Sequence, residues 1–282
     1  MIKFKQYVLT DEDFENLRSL IYKTCGINLS NAKRELMHAR LSKRLREIGV
    51  ESFREYYQFL TRGDSKAEMV QLMDAISTNL TSFFRESEHF DYLNEEGFPE
   101  IFAGTKSSWR VRLWSAGCST GEEPYSLGVT LLNYLHLQGL GSLDIKILGT
   151  DISTRVLKEA LNGVYSEDRV VKIPEADRRR FFDKFKRGED YYYRVKNSVK
   201  DIITFRRLNL MEPFPFKEVF DLILCRNVMI YFDRSHQESL VKKFWDCLKP
   251  RGVLMIGHSE SLTGIDQAFE YVKPTIYRKK ID

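Results

Sequence analysis

The chain has 282 residues, of which 43% are hydrophobic and 13% aromatic, and its 44 Lys and Arg against 40 Asp and Glu give a formal net charge of +4. That composition excludes a mostly disordered chain, and the length suits one large or two smaller domains. A net charge of +4 is too small for a polyanion binder working by bulk field alone.

The first part of the chain reads as all-helical. Thr10-Asp11-Glu12-Asp13 is an acidic N-terminal helix signal, followed by Phe14, Leu17, Leu20 and Ile21 at helical spacing, with Gly26 as a stop. Residues 31–50 hold six bases and two acids, the densest charge excess in the sequence. Met37, Leu41, Leu45 and Ile48 recur there at three- and four-residue spacing and predict a helix ending at Gly49. Lys33, Arg40 and Arg44 gather on the sector beside that apolar stripe, with Lys43 further round. Such a face is either solvated or a docking surface for an acidic partner. Phe53, Tyr56, Tyr57 and Leu60 predict a third helix, and Met69, Leu72, Met73 and Ile76 a fourth.

After residue 108 the pattern changes. Arg110–Trp114, Ile145–Thr150, Phe220–Cys225 and Val253–Ile256 read as strands. Helical stretches at Glu122–Leu137, Thr154–Leu161 and Gln237–Leu248 alternate with them. Strands alternating with helices predict a parallel sheet covered on both faces. Residues 181–207 break the alternation. Tyr191, Tyr193 and Val195, then Ile202, Thr204 and Arg206, read as short antiparallel strands of a β-insertion.

The chemistry gathers after the strands. The first strand runs into Ser115-Ala-Gly117-Cys-Ser-Thr-Gly121 and then a helix. Small residues there allow close backbone approach to a ligand, and ligands of open parallel sheets bind beyond the strands' carboxyl ends. The Gly-x-x-x-Gly spacing is a poor dinucleotide signal. Glu122 and Glu123 would repel a pyrophosphate and suit a cationic ligand. Asp151 ends the next strand, where a carboxylate can accept hydrogen bonds from ribose hydroxyls. Asn209-Leu210 and Cys225-Arg226-Asn227 are further polar stops after strands. Together they predict an adenosine-type ligand with a positive tail, which points to S-adenosylmethionine.

At this point a resemblance becomes specific. Asn79-Leu-Thr-Ser-Phe-Phe-Arg85, WSAGCSTGEEPYSL at 114–127, GTDIS at 149–153, CRNVMIYFDRSHQ at 225–237 and GHSESL at 257–262 resemble the CheR family of chemotaxis receptor methyltransferases. The resemblance covers nearly the whole chain. It implies an α/β fold: a Rossmann-like S-adenosylmethionine-dependent methyltransferase domain with a small β-insertion, preceded by an all-α N-terminal domain. The expected limits are 1–76 for a helical receptor-docking domain, 77–90 for a linker contributing to the cofactor site, and 91–282 for the methyltransferase domain, with the insertion at about 181–207.

Carried over by motif, Asn79, Thr81 and Arg85 would line the cofactor pocket from the linker side. Gly117, Glu123, Asp151, Asn209, Leu210, Arg226 and Asn227 would complete it, and Tyr231 would sit near the transferred methyl. Arg85 and Tyr231 are the expected catalytic residues, holding a glutamate carboxylate of a chemoreceptor's cytoplasmic helical bundle. Lys33, Arg40, Lys43 and Arg44 would dock that partner. The implied products are glutamate methyl esters and S-adenosylhomocysteine. Some family members bind a C-terminal pentapeptide tether of the receptor through a glycine-rich loop of the insertion. Here Lys184–Lys196 has Gly188 as its only glycine, so a tether-independent enzyme is expected.

Other expectations are negative. No run of 18 apolar residues exists, so direct membrane insertion is not expected. The N-terminus carries no apolar secretion signal, and four scattered cysteines form no Cys-x-x-Cys pair, which suits a cytoplasmic protein. His236 and His258 fall within the motifs without a legible metal-ligand spacing, so no metal is expected. Nucleic acid is not an expected partner, because the charge lies away from the predicted cofactor mouth. A monomer is expected. Competing readings are a methyltransferase for RNA or a small molecule, a non-catalytic cofactor-binding adaptor, and a nicotinamide oxidoreductase.

Overall fold

The computed structural model describes residues 7–63, 65–103, 110–140, 143–216, 219–265 and 269–281. Four helices open the chain: α1 (Asp11–Cys25), α2 (Arg34–Ile48), α3 (Phe53–Thr61) and α4 (Lys66–Ile76). Thr10 caps α1 by accepting from the Asp13 amide, and Gly26 closes it at φ 74. Gly49 closes α2 in the same left-handed conformation. The apolar stripes read from sequence face inward. Phe14, Leu17, Met37, Leu41, Leu45, Phe53, Tyr56, Leu72 and Met73 form one buried cluster. Ile48 sits at its edge, half-buried.

An irregular stretch from Ser77 leads to α5 (Glu88–Tyr92) and α6 (Phe98–Phe102), joined through a π-helical turn at Leu93–Gly97. The alternating part follows, with β1 (Arg110–Ala116), α7 (Glu122–Leu137), β2 (Asp144–Asp151) and α8 (Thr154–Asn162). Next come β3 (Val164–Ser166), α9 (Glu175–Phe181), β4 (Phe182–Arg187), β5 (Asp190–Val195), α10 (Asn197–Lys200) and β6 (Ile203–Arg207). β7 (Phe220–Cys225), α11 (Arg234–Cys247), β8 (Leu248–Ile256), β9 (Phe269–Lys273) and β10 (Ile276–Lys279) complete the order.

Seven strands form the main sheet in the order β6-β2-β1-β7-β8-β10-β9. The first five pair in parallel, while β10 runs antiparallel to both β8 and β9. Period-two alternation splits the strand residues between two cores. Leu113, Leu222, Leu224 and Met255 pack with Leu127 and Leu131 of α7. Trp114, Ile223, Cys225 and Leu254 pack on the other face with Leu240, Val241 and Phe244 of α11. This is a doubly wound sheet, and its strand order reverses between β1 and β7. Such a reversal opens a crevice at the strands' carboxyl ends.

The small sheet differs from the expectation. Its order is β3-β5-β4, so it holds Val164–Ser166, Phe182–Arg187 and Asp190–Val195. Ile202, Thr204 and Arg206 do not belong to it. Residues 203–207 form β6, paired in parallel with β2 from Ile147↔Ile203 to Asp151↔Arg207. β6 is an edge strand with one solvated face, and that face produces the alternation that sequence alone assigned to the insertion. Among the described residues, no helix is long and apolar enough to cross a membrane.

Candidate functional site

The sheet's reversal point and the end of the helical domain enclose a cleft of about 330 Å³. Asn79, Thr81, Arg85, Gly117, Glu123, Asp151, Asn209, Leu210, Arg226, Asn227 and Tyr231 all line it. The strands account for this convergence. Gly117 follows β1, Asp151 ends β2, Asn209 follows β6, and Arg226 follows β7. Cys25, Asn28 and Leu29 form a wall from the helical domain.

The turn after β1 is fixed by its backbone. The Gly117 and Cys118 amides both donate to the Thr150 carbonyl at 2.8 Å, tying the turn to β2. Gly117 has φ 80, and a Cβ there would stand 2.4 Å from Val228 Cγ2. Both the conformation and the space therefore demand glycine. Asp151 accepts from the Ser119 amide at Oδ2 and the Ser153 amide at Oδ1, each at 2.9 Å. Burial raises its pKa above the ordinary carboxylate value, against the lowering effect of those amides. Two amides use only part of the carboxylate's acceptor capacity.

Arg226 links the other acidic groups. It is 5% exposed and donates to Glu123 Oε2 at 3.1 Å, to Glu86 Oε2 at 3.0 Å and to the Arg85 carbonyl. Glu123 also accepts from Ser115 Oγ at 2.7 Å. Its burial raises its pKa, although the Arg226 charge works the other way. At half-buried Glu86, burial opposes ionisation, but the charge and hydrogen bonds of Arg226 prevail and lower the pKa.

Arg85 and Tyr231 both keep polar groups that the protein leaves largely uncommitted. The Arg85 side chain is 35% exposed, donates once to the Leu80 carbonyl at 3.0 Å, and lies 4.0 Å from Glu86. The half-buried Tyr231 hydroxyl makes no hydrogen bond among the described residues, whereas the Tyr231 carbonyl accepts from the Asn28 amide at 2.8 Å. Asn209 is more occupied. Its Nδ2 donates to the Thr24 carbonyl at 2.7 Å, and its Oδ1 accepts from the Met211 amide at 3.1 Å.

The four residues expected to dock a partner do not share one free face. Arg40 donates to the carbonyls of Ile76 at 2.8 Å and Ser77 at 3.0 Å, capping α4. Arg44 grips Glu68, a carboxylate 7% exposed that also accepts from Tyr56 at 2.8 Å. Lys33 and Lys43 remain exposed, and Lys33 borders the cleft.

Several supporting residues were not singled out from sequence. Glu260 accepts from the amides of Gly257, Asn227, Val228 and Ile230, at 2.6 to 3.2 Å, and so fixes the loop after β7. Arg169, from the 3₁₀ turn after β3, pairs with the fully buried Glu122 and donates to Thr120 Oγ1 at 2.6 Å. Glu122, expected with Glu123 to face a cationic ligand, instead lies outside the cleft lining, fully buried on Arg169, and the role of Glu260 in GHSESL shows only in its amide partners.

Comparison with known proteins gives two family matches. Residues 12–77 match "CheR methyltransferase, all-alpha domain", and residues 79–278 match "CheR methyltransferase, SAM binding domain". A chemotaxis protein methyltransferase of Borreliella burgdorferi is 41% identical over 274 residues, 96% of this chain and 95% of that one. A probable chemotaxis protein methyltransferase of Rhizobium etli is 38% identical over 260 residues, 92% and 96% of the two chains. The chemotaxis protein methyltransferase of Salmonella typhimurium is 35% identical over 274 residues, 97% and 92% of the two chains.

Proposed function

The chain belongs to the CheR methyltransferase family, an S-adenosylmethionine-binding family of chemotaxis, and on that premise we propose that it methylates glutamate side chains of chemoreceptors. The products are glutamate methyl esters and S-adenosylhomocysteine, formed during chemotaxis adaptation. The observation that carries this reading is that Arg85 and Tyr231 line the same cleft, Arg85 donating only to the Leu80 carbonyl and the Tyr231 hydroxyl bonding to none of the described residues.

The donor set fits the cofactor. Asp151 retains acceptor capacity suited to ribose hydroxyls. Asn79 Nδ2 is buried in the cleft wall without a hydrogen-bond partner, a donor that a bound ligand would satisfy. Glu123 and Arg226 offer opposite charges for an amino-acid tail, and Gly117 permits close backbone approach. When bound, S-adenosylmethionine supplies an electrophilic methyl group on a sulfonium centre.

The protein's own tasks are then modest. A glutamate carboxylate has a pKa of about 4.3, so it is ionised at neutral pH and needs no general base. What remains is to hold one carboxylate oxygen in line with the methyl group. Arg85 supplies a planar pair of donors for the carboxylate. The Tyr231 hydroxyl adds a further donor. Lys33 and Lys43, exposed beside and beyond the cleft, steer an acidic receptor helix toward it. The chain acts as a monomer on the cytoplasmic part of receptors in their membrane arrays. The hairpin between β4 and β5 has Gly188, at φ 66, as its only glycine, which favours docking without the receptor's C-terminal pentapeptide.

Incubation with methyl-labelled S-adenosylmethionine and chemoreceptor-containing membranes tests the reading. Base-labile label on receptor supports it, and cofactor binding without transfer overturns it. Receptors lacking the C-terminal pentapeptide should be methylated as fast as intact ones. Charge reversal at Lys33 and Lys43 should slow receptor methylation most at low salt.

A further inference from the structure

Two neighbouring side chains, Glu86 and His89, meet the distant His258 beside the cleft but outside its lining. Glu86 precedes α5, His89 lies on α5, and His258 follows β8. Each offers a ligand atom, and these atoms lie within 4.8 Å of one another.

His89 is the informative member. Its ring is 1% exposed, and its Nδ1 has no hydrogen-bond partner among the described residues. Its Nε2 lies 2.7 Å from Thr275 Oγ1. The Thr275 hydroxyl donates its own hydrogen to the Pro274 carbonyl at 2.6 Å, so its oxygen is left to accept. That assigns the ring hydrogen to Nε2 and leaves a lone pair on Nδ1. Nδ1 faces Glu86 Oε2 at 3.7 Å. Arg226 already donates to that oxygen at 3.0 Å, so the group left without a partner is the Nδ1 lone pair. His258 is exposed, with its ring centroid 5.4 Å from that of His89, and can turn inward to contribute a third donor.

We propose that Glu86, His89 and His258 form a binding site for a borderline divalent d-block cation such as Zn²⁺. Two imidazole nitrogens and one carboxylate, each at about 2 Å, leave a fourth tetrahedral position for water. The His89–Thr275 hydrogen bond fixes the tautomer, as outer groups do for metal-binding histidines. Mg²⁺ and Ca²⁺ prefer sites made only of oxygen and fit this set poorly. The cation would share Glu86 with Arg226, which also reaches Glu123 in the cleft.

The test uses the full chain, metal-free and without a histidine tag, titrated with Co²⁺ while the visible spectrum is recorded. The expected result is one equivalent of saturable binding with bands of tetrahedral coordination, displaced by Zn²⁺. His258→Ala lies at an exposed position that should not disturb folding, and it should weaken binding at least tenfold. His89→Gln should abolish it, and if that variant fails to fold, His258→Ala decides. Absence of saturable binding overturns the proposal, as does binding that His258→Ala leaves intact. Thiolate-to-cobalt charge-transfer bands would also overturn it, by assigning the ion to cysteine.

Discussion

The Tyr22 hydroxyl donates to the Asp233 carboxylate across 211 residues of sequence, joining α1 to the cap of α11. Asp233 stands two residues beyond Tyr231. The Asn28–Tyr231 and Asn209–Thr24 hydrogen bonds lie on the same seam. The helical domain therefore holds the loop that carries a proposed catalytic side chain.

Tyr22→Phe should lower the thermal midpoint and weaken S-adenosylhomocysteine binding, both read by thermal shift with and without that ligand. The effect has a pH signature. The Tyr22 hydrogen bond, then the His236 amide, hold the Asp233 carboxyl well below the usual range. A depressed carboxyl contributes stability above its unfolded value of about 3.9 and loses it as pH falls through the folded value. The gap between wild type and variant should be full at neutral pH and close in strong acid. A gap that widens in acid would be inconsistent with this assignment.

Arg44 should prove to be a stability residue. Arg44→Ala would strand Glu68 as a buried carboxylate, and removing one partner of such a pair costs on the order of 3 kcal/mol. Lys43→Ala, at an exposed position, should stay within about 0.5 kcal/mol of wild type. Urea unfolding midpoints separate the two outcomes.

Arg85→Ala should lower kcat/KM for receptor methylation by roughly 10- to 150-fold, the range of a lost hydrogen bond to a charged group. Arg85→Lys should recover little, because an ammonium lacks the planar pair of donors. Product affinity, measured separately by calorimetry, shows how much of the loss is cofactor binding. Unchanged transfer in both variants would remove Arg85 from the mechanism.

Arg169→Ala leaves the fully buried Glu122 without its cationic partner at the start of α7. Stability should fall by about 3 kcal/mol, and KM for S-adenosylmethionine should rise as the Ser119–Gly121 turn loosens. Adding Glu122→Gln removes the stranded charge and should restore part of both. Strict additivity of the two substitutions would show that the residues are not coupled.

The sheet and the cleft were largely legible because their signals are local. A strand followed by small or polar residues marks a carboxyl end, and parallel topology gathers those ends at one reversal point. Gly117, Asp151, Asn209 and Arg226 could thus be grouped from sequence alone. The basic face of α2 was not legible in the same way. Helical spacing places Arg40 and Arg44 on a sector, but their partners at Ile76 and Glu68 lie 36 and 24 residues further on. Edge strand β6 was misassigned because alternation records one exposed face and not which sheet supplies the other. The meeting of Glu86 with His258 depends on how the turn after β8 folds over α5, for which the sequence holds no spacing signal.

The cleft takes one wall from the helical domain, another from the stretch after Ile76 that carries Asn79, Thr81 and Arg85, and the rest from the loops at the sheet's carboxyl ends. Each domain has its own buried cluster, yet each alone would present an open half of a mould. A ligand seated there touches both, so its binding energy also counts toward holding the halves together. On the proposed reading of the cleft, S-adenosylmethionine and S-adenosylhomocysteine would act as mortar between the two bricks of the chain. How fully that cleft is occupied would then set how firmly the N-terminal helices are mounted on the sheet.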